Sequence, residues 1–203
     1  MTEEKTQTGN GGEGTRERLL AAADGLFYGG GICATGVNAV AERAGVTKMT
    51  LYAHFSSKDE LVAAYLEDHD RRWREFLEET LAGHDDPKDK LSAVCDAYRG
   101  WLAAGNLRGC AFVNCAAEFP DPDHPARRVV REHKAGVRER LGALAAEAGV
   151  MDPGTLAERV FVVLEGAYVT GALEGDEGVL GRARELVADL VAAAAGDRPS
   201  PGV

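Results

Sequence analysis

The fold of this chain is constrained most by residues 37–55, VNAVAERAGVTKMTLYAHF, which predict two short helices joined by a tight turn. The first helix has apolar residues at the i, i+3, i+4 and i+7 positions of one buried face: Val37, Val40, Ala41 and Ala44. Gly45 follows at once, and glycine readily adopts the positive φ with which a chain leaves a helix sharply. Thr47 is placed to cap the second helix by accepting a hydrogen bond from a backbone N–H of its first turn.

The second helix, from Lys48 to His54 or Phe55, has two faces of different character. At about 100° per residue, Leu51 and Phe55 point together towards a core. The opposite face and its flanks carry Met49, Tyr52, Ala53, Thr50 and His54. In a DNA major groove, such apolar atoms can meet thymine methyl groups, and Lys and Tyr can reach base edges or phosphates. We therefore predict a helix-turn-helix whose second helix reads DNA; the alternative is a packed helical hairpin without that role.

Residues 41–66, AERAGVTKMTLYAHFSSKDELVAAYL, strongly resemble the DNA-binding domain of TetR-type bacterial repressors. The AGV turn, the T-x-x-T-L-Y-x-H-F helix and the following S-K-x-E-L are the most specific marks, and the similarity spans roughly residues 15–66. The helix faces and the resemblance together indicate a set of DNA-contacting residues: Thr35, Thr47, Lys48, Met49, Thr50, Tyr52, His54 and Lys58. Met49 stands where the family often has a small residue, which bears on the bases that are read.

Two of these residues are expected to hold phosphates rather than to read bases. Thr35 is placed to cap the first helix of the motif, where its hydroxyl and the exposed N–H groups suit a phosphate. A cap without a phosphate is the alternative, and the resemblance favours the contact. Lys58 follows Ser57 in an S-x-x-E capping box that opens a long helix. The resemblance implies that Lys58 contacts the DNA backbone; a solvated lysine is the alternative.

The charge distribution is compatible with a DNA-binding head, although the chain of 203 residues carries a formal net charge of −10. Residues 15–55 hold a slight basic excess, Arg16, Arg18, Arg43 and Lys48 against Glu17, Asp24 and Glu42. The acidic excess therefore lies elsewhere, where salt screening beyond about 8–10 Å weakens its repulsion of DNA. No apolar run reaches the roughly 18 residues of a membrane span, and the polar, Gly-rich start is unlike a signal peptide. We expect a cytoplasmic protein whose four cysteines are reduced.

The whole chain predicts an all-α protein with an N-terminal three-helix helix-turn-helix domain and a C-terminal helical domain for ligand binding and dimerisation. The expected organisation is a disordered tail over 1–14, the DNA-binding domain over 15–56, the second domain over 57–196 and a flexible tail over 197–203. Two late helices, 155–173 and 178–195, are apolar enough to finish a monomer core or to pack with a second copy as a four-helix bundle. The resemblance favours the homodimer.

Aromatic residues recur on the helices that would surround the centre of the second domain. They form either a closed core or an apolar pocket with a few polar groups, and the resemblance to ligand-responsive repressors favours the pocket. The expected ligand-binding residues are Trp73, Phe76, Tyr98, Trp101, Phe112, Cys115, Phe119, Phe161 and Glu165.

Enzymatic chemistry is not expected, because the sequence has no Gly-rich phosphate loop after a strand, no H-E-x-x-H and no nucleophile elbow. Cys110 and Cys115 lie about 140° apart on one helix, which suits a shared metal poorly. They remain candidates for a thiol redox sensor or for inert core residues. No metal or cofactor is expected. We predict a regulator, favouring a repressor, that binds a palindromic DNA operator as a homodimer and is released by a small apolar or aromatic effector. The alternative is a ligand-binding or redox-sensing helical protein without sequence-specific DNA binding.

Overall fold

Every regular element in the part of the chain described by the computed structural model, residues 10–105 and 108–196, is an α-helix. In chain order the helices are α1 (Asn10–Gly30), α2 (Val37–Arg43), α3 (Lys48–His54), α4 (Lys58–Leu81), α5 (Pro87–Ala104), α6 (Ala111–Glu118), α7 (Pro125–Glu147), α8 (Pro153–Glu174) and α9 (Gly178–Gly196). The all-α prediction is therefore confirmed. The predicted start of α1 is wrong, because the helix begins at Asn10, within the stretch expected to be a tail. The remaining parts of the two predicted tails, 1–9 and 197–203, lie outside the described residues.

The chain divides into two compact units whose border differs from the predicted one after residue 56. The first unit comprises the described residues up to His69 together with Cys115–Val129. The second unit comprises Asp70–Asn114, apart from 106–107, and the chain from Val130 to Gly196. The helices α4, α6 and α7 therefore contribute residues to both units. Local sequence pattern does not reveal such a division, because it depends on contacts between distant segments.

The first unit buries one face of each of its short helices. Leu19, Ala23 and Phe27 from α1 are almost completely buried, as the helical spacing predicts. Phe27 meets Tyr65 of α4 edge to face, with ring centroids 5.6 Å apart. Aromatic pairs with centroids about 4.5–7 Å apart stabilise a fold beyond what the burial of their surface contributes. This contact packs α1 against α4.

The second unit has a core built chiefly on α5, α8 and α9, with α9 packed against both other helices. Asp86 and Asp152 cap the N-termini of α5 and α8, and each is followed by a proline at the first helical position. Along the core, Trp73 meets Tyr98 at 4.7 Å and Tyr98 meets Tyr168 at 5.2 Å, both edge to face. Trp73, Tyr98 and Tyr168 thus form a contiguous packed array in the second unit.

Candidate functional site

The turn between α2 and α3 has the geometry that the sequence predicts. Gly45 has a φ of +68°, a left-handed conformation that suits glycine. Its backbone N–H donates to the carbonyl of Glu42, and the N–H of Val46 donates to the carbonyl of Ala41. These bonds satisfy carbonyls at the end of α2 that the helix itself leaves free. The chain therefore leaves α2 sharply and starts α3 after only a few residues.

Thr47 is the N-cap of α3, which confirms the predicted cap. Its hydroxyl accepts a hydrogen bond from the backbone N–H of Thr50 at 3.1 Å, and the two threonine hydroxyl oxygens lie 2.9 Å apart. A cap of this kind typically contributes about 1 kcal/mol to helix stability. Both hydroxyl groups stand at the N-terminal end of α3, where backbone N–H groups and the helix dipole favour an anion.

The helix α3 has one buried and one exposed face. Leu51 is fully buried and Phe55, just after the helix, is 2% exposed. Met49 is 84% exposed and Tyr52 is 42% exposed, and both are among the large apolar side chains that reach solvent. The ammonium group of Lys48 lies 5.8 Å from the centroid of the Tyr52 ring, within cation–π distance. The face that carries Lys48, Met49 and Tyr52 therefore combines apolar surface, a hydroxyl and a positive charge.

Thr35 does not cap α2, and that prediction is wrong. The N-cap residue of α2 is Gly36, which offers no side chain for the task. Thr35 is buried, and its hydroxyl donates to the carbonyl of Gly31 at 2.7 Å. The hydroxyl is therefore engaged in closing the loop between α1 and α2. The sequence Thr-Gly before a helix does not decide which of the two residues occupies the N-cap position, and this explains the error.

Lys58 is half-buried, and its ammonium group donates to the carbonyl of Ile32 at 2.7 Å. The predicted capping box is formed in a modified way. The hydroxyl of Ser57 accepts from the backbone N–H of Glu60, but the Glu60 carboxylate accepts from the N–H of Ser56. Lys58 thus starts α4 and holds the α1–α2 loop at the same time.

Glu118 is an important residue of the first unit that is absent from the predicted site residues. Its carboxylate accepts the backbone N–H groups of Ile32 at 2.9 Å and of Cys33 at 2.6 Å. Burial would raise the pKa of Glu118, but these two hydrogen bonds and the nearby Lys58 ammonium bring the pKa below its ordinary value. Gly31, with a φ of +93°, precedes the two donors and makes the turn that presents them. We refer to the contacts of Glu118 with Ile32 and Cys33 as the Glu118 clasp.

The predicted ligand-binding residues are divided between the two units. Cys115 and Phe119 belong to the first unit, where Cys115 is fully buried and Phe119 stacks on His124 at 4.0 Å. The remaining residues belong to the second unit: Trp73, Phe76, Tyr98, Trp101, Phe112, Phe161 and Glu165. Among these, Trp101 lies 5.7 Å from Trp73 and 5.3 Å from Phe76 between ring centroids. Most of the predicted set thus packs within one unit, largely as a closed core.

A cavity of about 200 Å³ opens between α4 and α7 in the second unit, and Trp73 is the predicted residue that reaches it. Its lining is Asp70, Trp73, Arg74, Leu77, Glu78, His133, Gly136, Val137 and Arg140. At one wall the Nδ1 of His133 lies 2.6 Å from a carboxylate oxygen of Asp70. The ring of Phe112 stacks on the imidazole, with the ring centroids 3.6 Å apart. Burial lowers the pKa of His133, and Asp70 opposes that change only in part. The cavity offers an apolar floor, a largely buried imidazole and flanking charges.

Residues 10–105 and 108–196 contain neither a group of three or more His, Cys, Asp or Glu side chains suited to a metal ion nor a helix long and apolar enough to cross a membrane. Cys95 and Cys115 are buried, and burial raises the pKa of each thiol to about 12. Of the two candidate redox cysteines, Cys115 lacks the accessible thiolate on which thiol reactivity depends.

A short capped helix with a buried inner face and an exposed outer face, following a tight turn from another helix, defines a helix-turn-helix DNA-binding regulator. The sequence profile of bacterial regulatory proteins of the tetR family matches residues 19–65. The profile of the tetracyclin repressor-like C-terminal domain matches residues 87–187. The chain belongs to the TetR family of transcriptional regulators, which are not enzymes.

Comparisons with individual proteins agree with this assignment. The crystal structure of a TetR-family transcriptional regulator from Streptomyces coelicolor is similar, with a TM-score of 0.83 and 32% identity, over 90% of this chain and 97% of that one. The transcriptional activator FasR of Mycolicibacterium smegmatis is 39% identical over 41% of this chain, which spans only 38% of FasR. The transcriptional repressor NemR of Escherichia coli is 29% identical over 61% of this chain and 63% of NemR.

The Glu118 clasp makes a prediction for Glu118→Gln. Because the pKa of Glu118 is lower in the folded chain, the stability that its charge contributes is complete above the ordinary pKa of 4.5 and is lost as the pH falls through the folded value. We expect Glu118→Gln to lower the urea midpoint at pH 7, and we expect the difference from wild type to vanish under acid conditions. Circular dichroism measures both midpoints. Glu79→Gln, an exposed glutamate of the second unit, controls for the loss of one charge; a difference that persists unchanged in acid would contradict the prediction.

Proposed function

We propose that this protein is a homodimeric repressor that binds a palindromic DNA operator and leaves it when a small apolar or aromatic effector binds the second unit. The observation that carries the DNA-binding part is the exposed face of α3, with Met49 84% exposed opposite the fully buried Leu51. Because Met49 and Tyr52 are exposed, a monomer loses the stabilisation that their burial would provide. A DNA major groove supplies thymine methyl groups and base-edge acceptors that such side chains can contact.

The proposed contacts divide into base-reading and phosphate-binding groups. Lys48, Met49 and Tyr52 supply the exposed face that would read bases, with His54 and Thr50 half-buried beside it. Thr47 and the free N–H groups of the first turn of α3 suit a phosphate. Thr35 and Lys58 remain proposed phosphate contacts, although each now bonds a carbonyl of the α1–α2 loop. Their contribution is therefore expected to be partly indirect, through the shape of that loop.

Exposed apolar side chains on α8 and α9 support the homodimer. Val162 is 67% exposed and Leu186 is 49% exposed. Both line a shallow apolar depression together with Glu158, Arg159, Val163 and Leu190. An exposed apolar patch of this kind is typical of a protein–protein interface. Val187 on α9 is fully buried in the core of its own unit, so a substitution there would test the fold rather than the dimer contact.

The effector is proposed to bind beside Trp73 in the cavity between α4 and α7. An apolar floor with a few polar groups is the usual character of a small-molecule site. The helix α4 starts at Lys58 and has residues in both units, so it is the proposed route by which ligand binding changes DNA affinity. NemR is named a repressor and FasR an activator. We favour repression because an effector that displaces the dimer from its operator needs no contact with polymerase.

The rival function is a helical ligand-binding protein that does not read DNA. It has no need for an exposed tyrosine within cation–π distance of a lysine on a capped helix. The DNA experiment below distinguishes the two functions directly, because a protein of the rival class would enrich no sequence.

The DNA-reading proposal predicts that selection from random duplex DNA yields a palindromic site. Tyr52→Ala and Lys48→Ala should each weaken binding to that site by about 1–3 kcal/mol and relax its sequence. Lys58→Ala should weaken all sequences alike, because phosphate contacts position rather than specify. Lys88→Ala, an exposed lysine of α5, controls for the loss of one positive charge. Unchanged binding by Tyr52→Ala and Lys48→Ala would contradict the assigned face.

The dimer proposal predicts that Val162→Asp combined with Leu186→Asp gives a monomer in analytical ultracentrifugation and loses operator affinity. Burying two carboxylates without partners opposes association, whereas each side chain is exposed in the single chain, so the fold should survive. Met151→Asp, at an exposed apolar residue before α8, is the matched control and should remain dimeric. A double variant that stays dimeric would place the interface elsewhere.

The effector proposal predicts that an apolar ligand quenches or shifts the fluorescence of the two tryptophans of the chain, Trp73 and Trp101. Coupling of about 1–3 kcal/mol would lower the ligand affinity roughly 5- to 150-fold when operator DNA is present. Gly136→Leu should fill the cavity and abolish ligand binding, since the added side chain meets mainly the mobile end of Arg74. Equal ligand affinity with and without DNA would show that the coupling is absent.

A further inference from the structure

The cavity between α4 and α7 is bordered by a buried histidine whose second ring nitrogen bonds no protein group. His133 is 5% exposed, its Nδ1 lies 2.6 Å from a carboxylate oxygen of Asp70, and Phe112 covers one face of its ring. Within residues 10–105 and 108–196, Nε2 of His133 has no hydrogen-bond partner. This atom is not fully enclosed, and the cavity is the space that the ring borders. A polar atom in this position is suited to bonding a ligand.

The contact with Asp70 decides which nitrogen of His133 carries the proton. The other carboxylate oxygen of Asp70 accepts from Nε of Arg74 at 2.8 Å, which holds the carboxylate beside the imidazole. Burial would raise the pKa of Asp70, but the hydrogen bonds from His133 and Arg74 bring that pKa below its ordinary value. Asp70 is therefore ionised and can only accept, so Nδ1 carries the proton.

The imidazole of His133 is consequently an acceptor on the side of Nε2. Burial lowers the pKa of His133, and the nearby Lys134 ammonium acts in the same direction, so the ring is neutral at pH 7. A neutral imidazole with its proton on Nδ1 presents a lone pair at Nε2. A ligand that bonds this nitrogen must therefore be a hydrogen-bond donor.

The charged residues of the lining are paired with one another. Arg74 bonds Asp70, and Arg140 donates to the two carboxylate oxygens of Glu78 at 2.7 Å and 2.9 Å. Two guanidinium groups and two carboxylates leave the lining without net charge. An ionised ligand would compete with one of these pairs, because a charge that leaves water needs a partner of its own. An uncharged ligand leaves both pairs intact.

The size and the apolar walls of the cavity suit a single ring. An apolar cavity of about 150 Å³ accommodates benzene, whereas pockets for drug-sized ligands measure about 300–1,000 Å³. At about 200 Å³, this cavity fits a monocyclic molecule with small substituents. Trp73, Leu77 and Val137 supply the apolar contacts for such a ring.

We propose that the cavity binds an uncharged monocyclic phenol, whose ring packs against Trp73 and whose hydroxyl donates a hydrogen bond to Nε2 of His133. This inference rests on the proposed function, because the cavity is the proposed effector site, and it names the chemical class of the effector. A hydroxyl supplies the donor that Nε2 needs, whereas an ether or a ketone offers acceptors alone. A phenol, like the tyrosine side chain, keeps its proton at pH 7.

The first experiment titrates the full-length protein with three probes of similar size in isothermal titration calorimetry. 4-Methylphenol carries the donor, 1,4-dimethylbenzene has a methyl group in place of the hydroxyl, and 4-methylbenzoate is anionic at pH 7. We expect 4-methylphenol to bind about tenfold or more tightly than either analogue, since leaving a polar group without its partner is costly. An affinity for 4-methylphenol that is undetectable, or no greater than that for either analogue, would overturn the proposal.

The variant His133→Phe keeps an aromatic ring beside Phe112 but removes the acceptor. It should reduce the affinity for 4-methylphenol to that for 1,4-dimethylbenzene and leave the second affinity nearly unchanged. His69→Phe is the matched control, because His69 is also buried and lies 3.3 Å from an aspartate, Asp24, but is outside the cavity lining. The control should keep the preference for 4-methylphenol. A preference that persists in His133→Phe, with helicity verified by circular dichroism, would contradict the assigned acceptor.

Nitrogen NMR of the wild-type protein labelled with ¹⁵N-histidine tests the same hydrogen bond without any substitution. The His133 signals are assigned through their proton contacts with the ring of Phe112. We expect a protonated Nδ1 and an unprotonated Nε2 in the free protein. The Nε2 resonance should move when 4-methylphenol is added and stay in place with 1,4-dimethylbenzene. A protonated Nε2 in the free protein, or an Nε2 that does not respond to 4-methylphenol, would overturn the proposal.

Operator binding separates a failure of this inference from a failure of the proposed function. Saturating 4-methylphenol should weaken operator binding by wild type about fivefold or more, and by His133→Phe far less. If 4-methylphenol bonds His133 but no operator is selected, or operator affinity does not change, the proposed function fails while the site stands. If 1,4-dimethylbenzene binds as tightly as 4-methylphenol and releases the operator, the proposed function stands and the phenol assignment is overturned.

Discussion

The orientation of the proposed DNA-reading surface depends on the burial of Leu51 and Phe55. The helix α3 is only seven residues long, and isolated helices shorter than about 12–15 residues are marginal in water. Its stability must therefore come from packing its inner face, with help from the Thr47 cap. Since Leu51 and Phe55 fix the rotation of α3, they also decide that Lys48, Met49 and Tyr52 face outward. The proposed DNA-reading face thus depends on this apolar pair as well as on the exposed residues.

The loop between α1 and α2 is held from three directions within the first unit. Thr35 closes it from inside through the Gly31 carbonyl, Lys58 holds the carbonyl of Ile32, and Glu118 accepts the N–H groups of Ile32 and Cys33. Three polar side chains from distant parts of the sequence thereby satisfy one short segment of backbone. Because an unsatisfied buried N–H or carbonyl costs about 1–3 kcal/mol, these contacts can set the position of α2 and of the turn that follows it.

Sequence reasoning succeeded where the governing interactions are local. Thr47 caps α3 through a contact within the first turn, and the predicted helix start at Lys48 is confirmed. The cap of α2 was predicted wrongly because Thr35 satisfies a longer-range need. Glu118 bonds residues 85 and 86 positions away, and no local pattern selects such partners. His133 on α7 meets Asp70 and Phe112, which come from two other helices that periodicity does not identify. Periodicity predicts the face of a helix, whereas the fold decides what that face meets.

The acidic balance of the chain places a further demand on DNA binding. A net charge of −10 opposes approach to a polyanion, and the head offers only a few cations near α3. Affinity that comes from many phosphate contacts falls steeply with salt, but a head with few lysines releases few counterions and gains little in this way. The binding free energy must then come from base contacts, from N–H groups at the start of α3 and from two heads acting together. The proposed dimer is therefore consistent with the charge distribution as well as with the exposed apolar side chains on α8 and α9. In the proposed dimer, a change in the spacing of the two heads would therefore weaken operator binding.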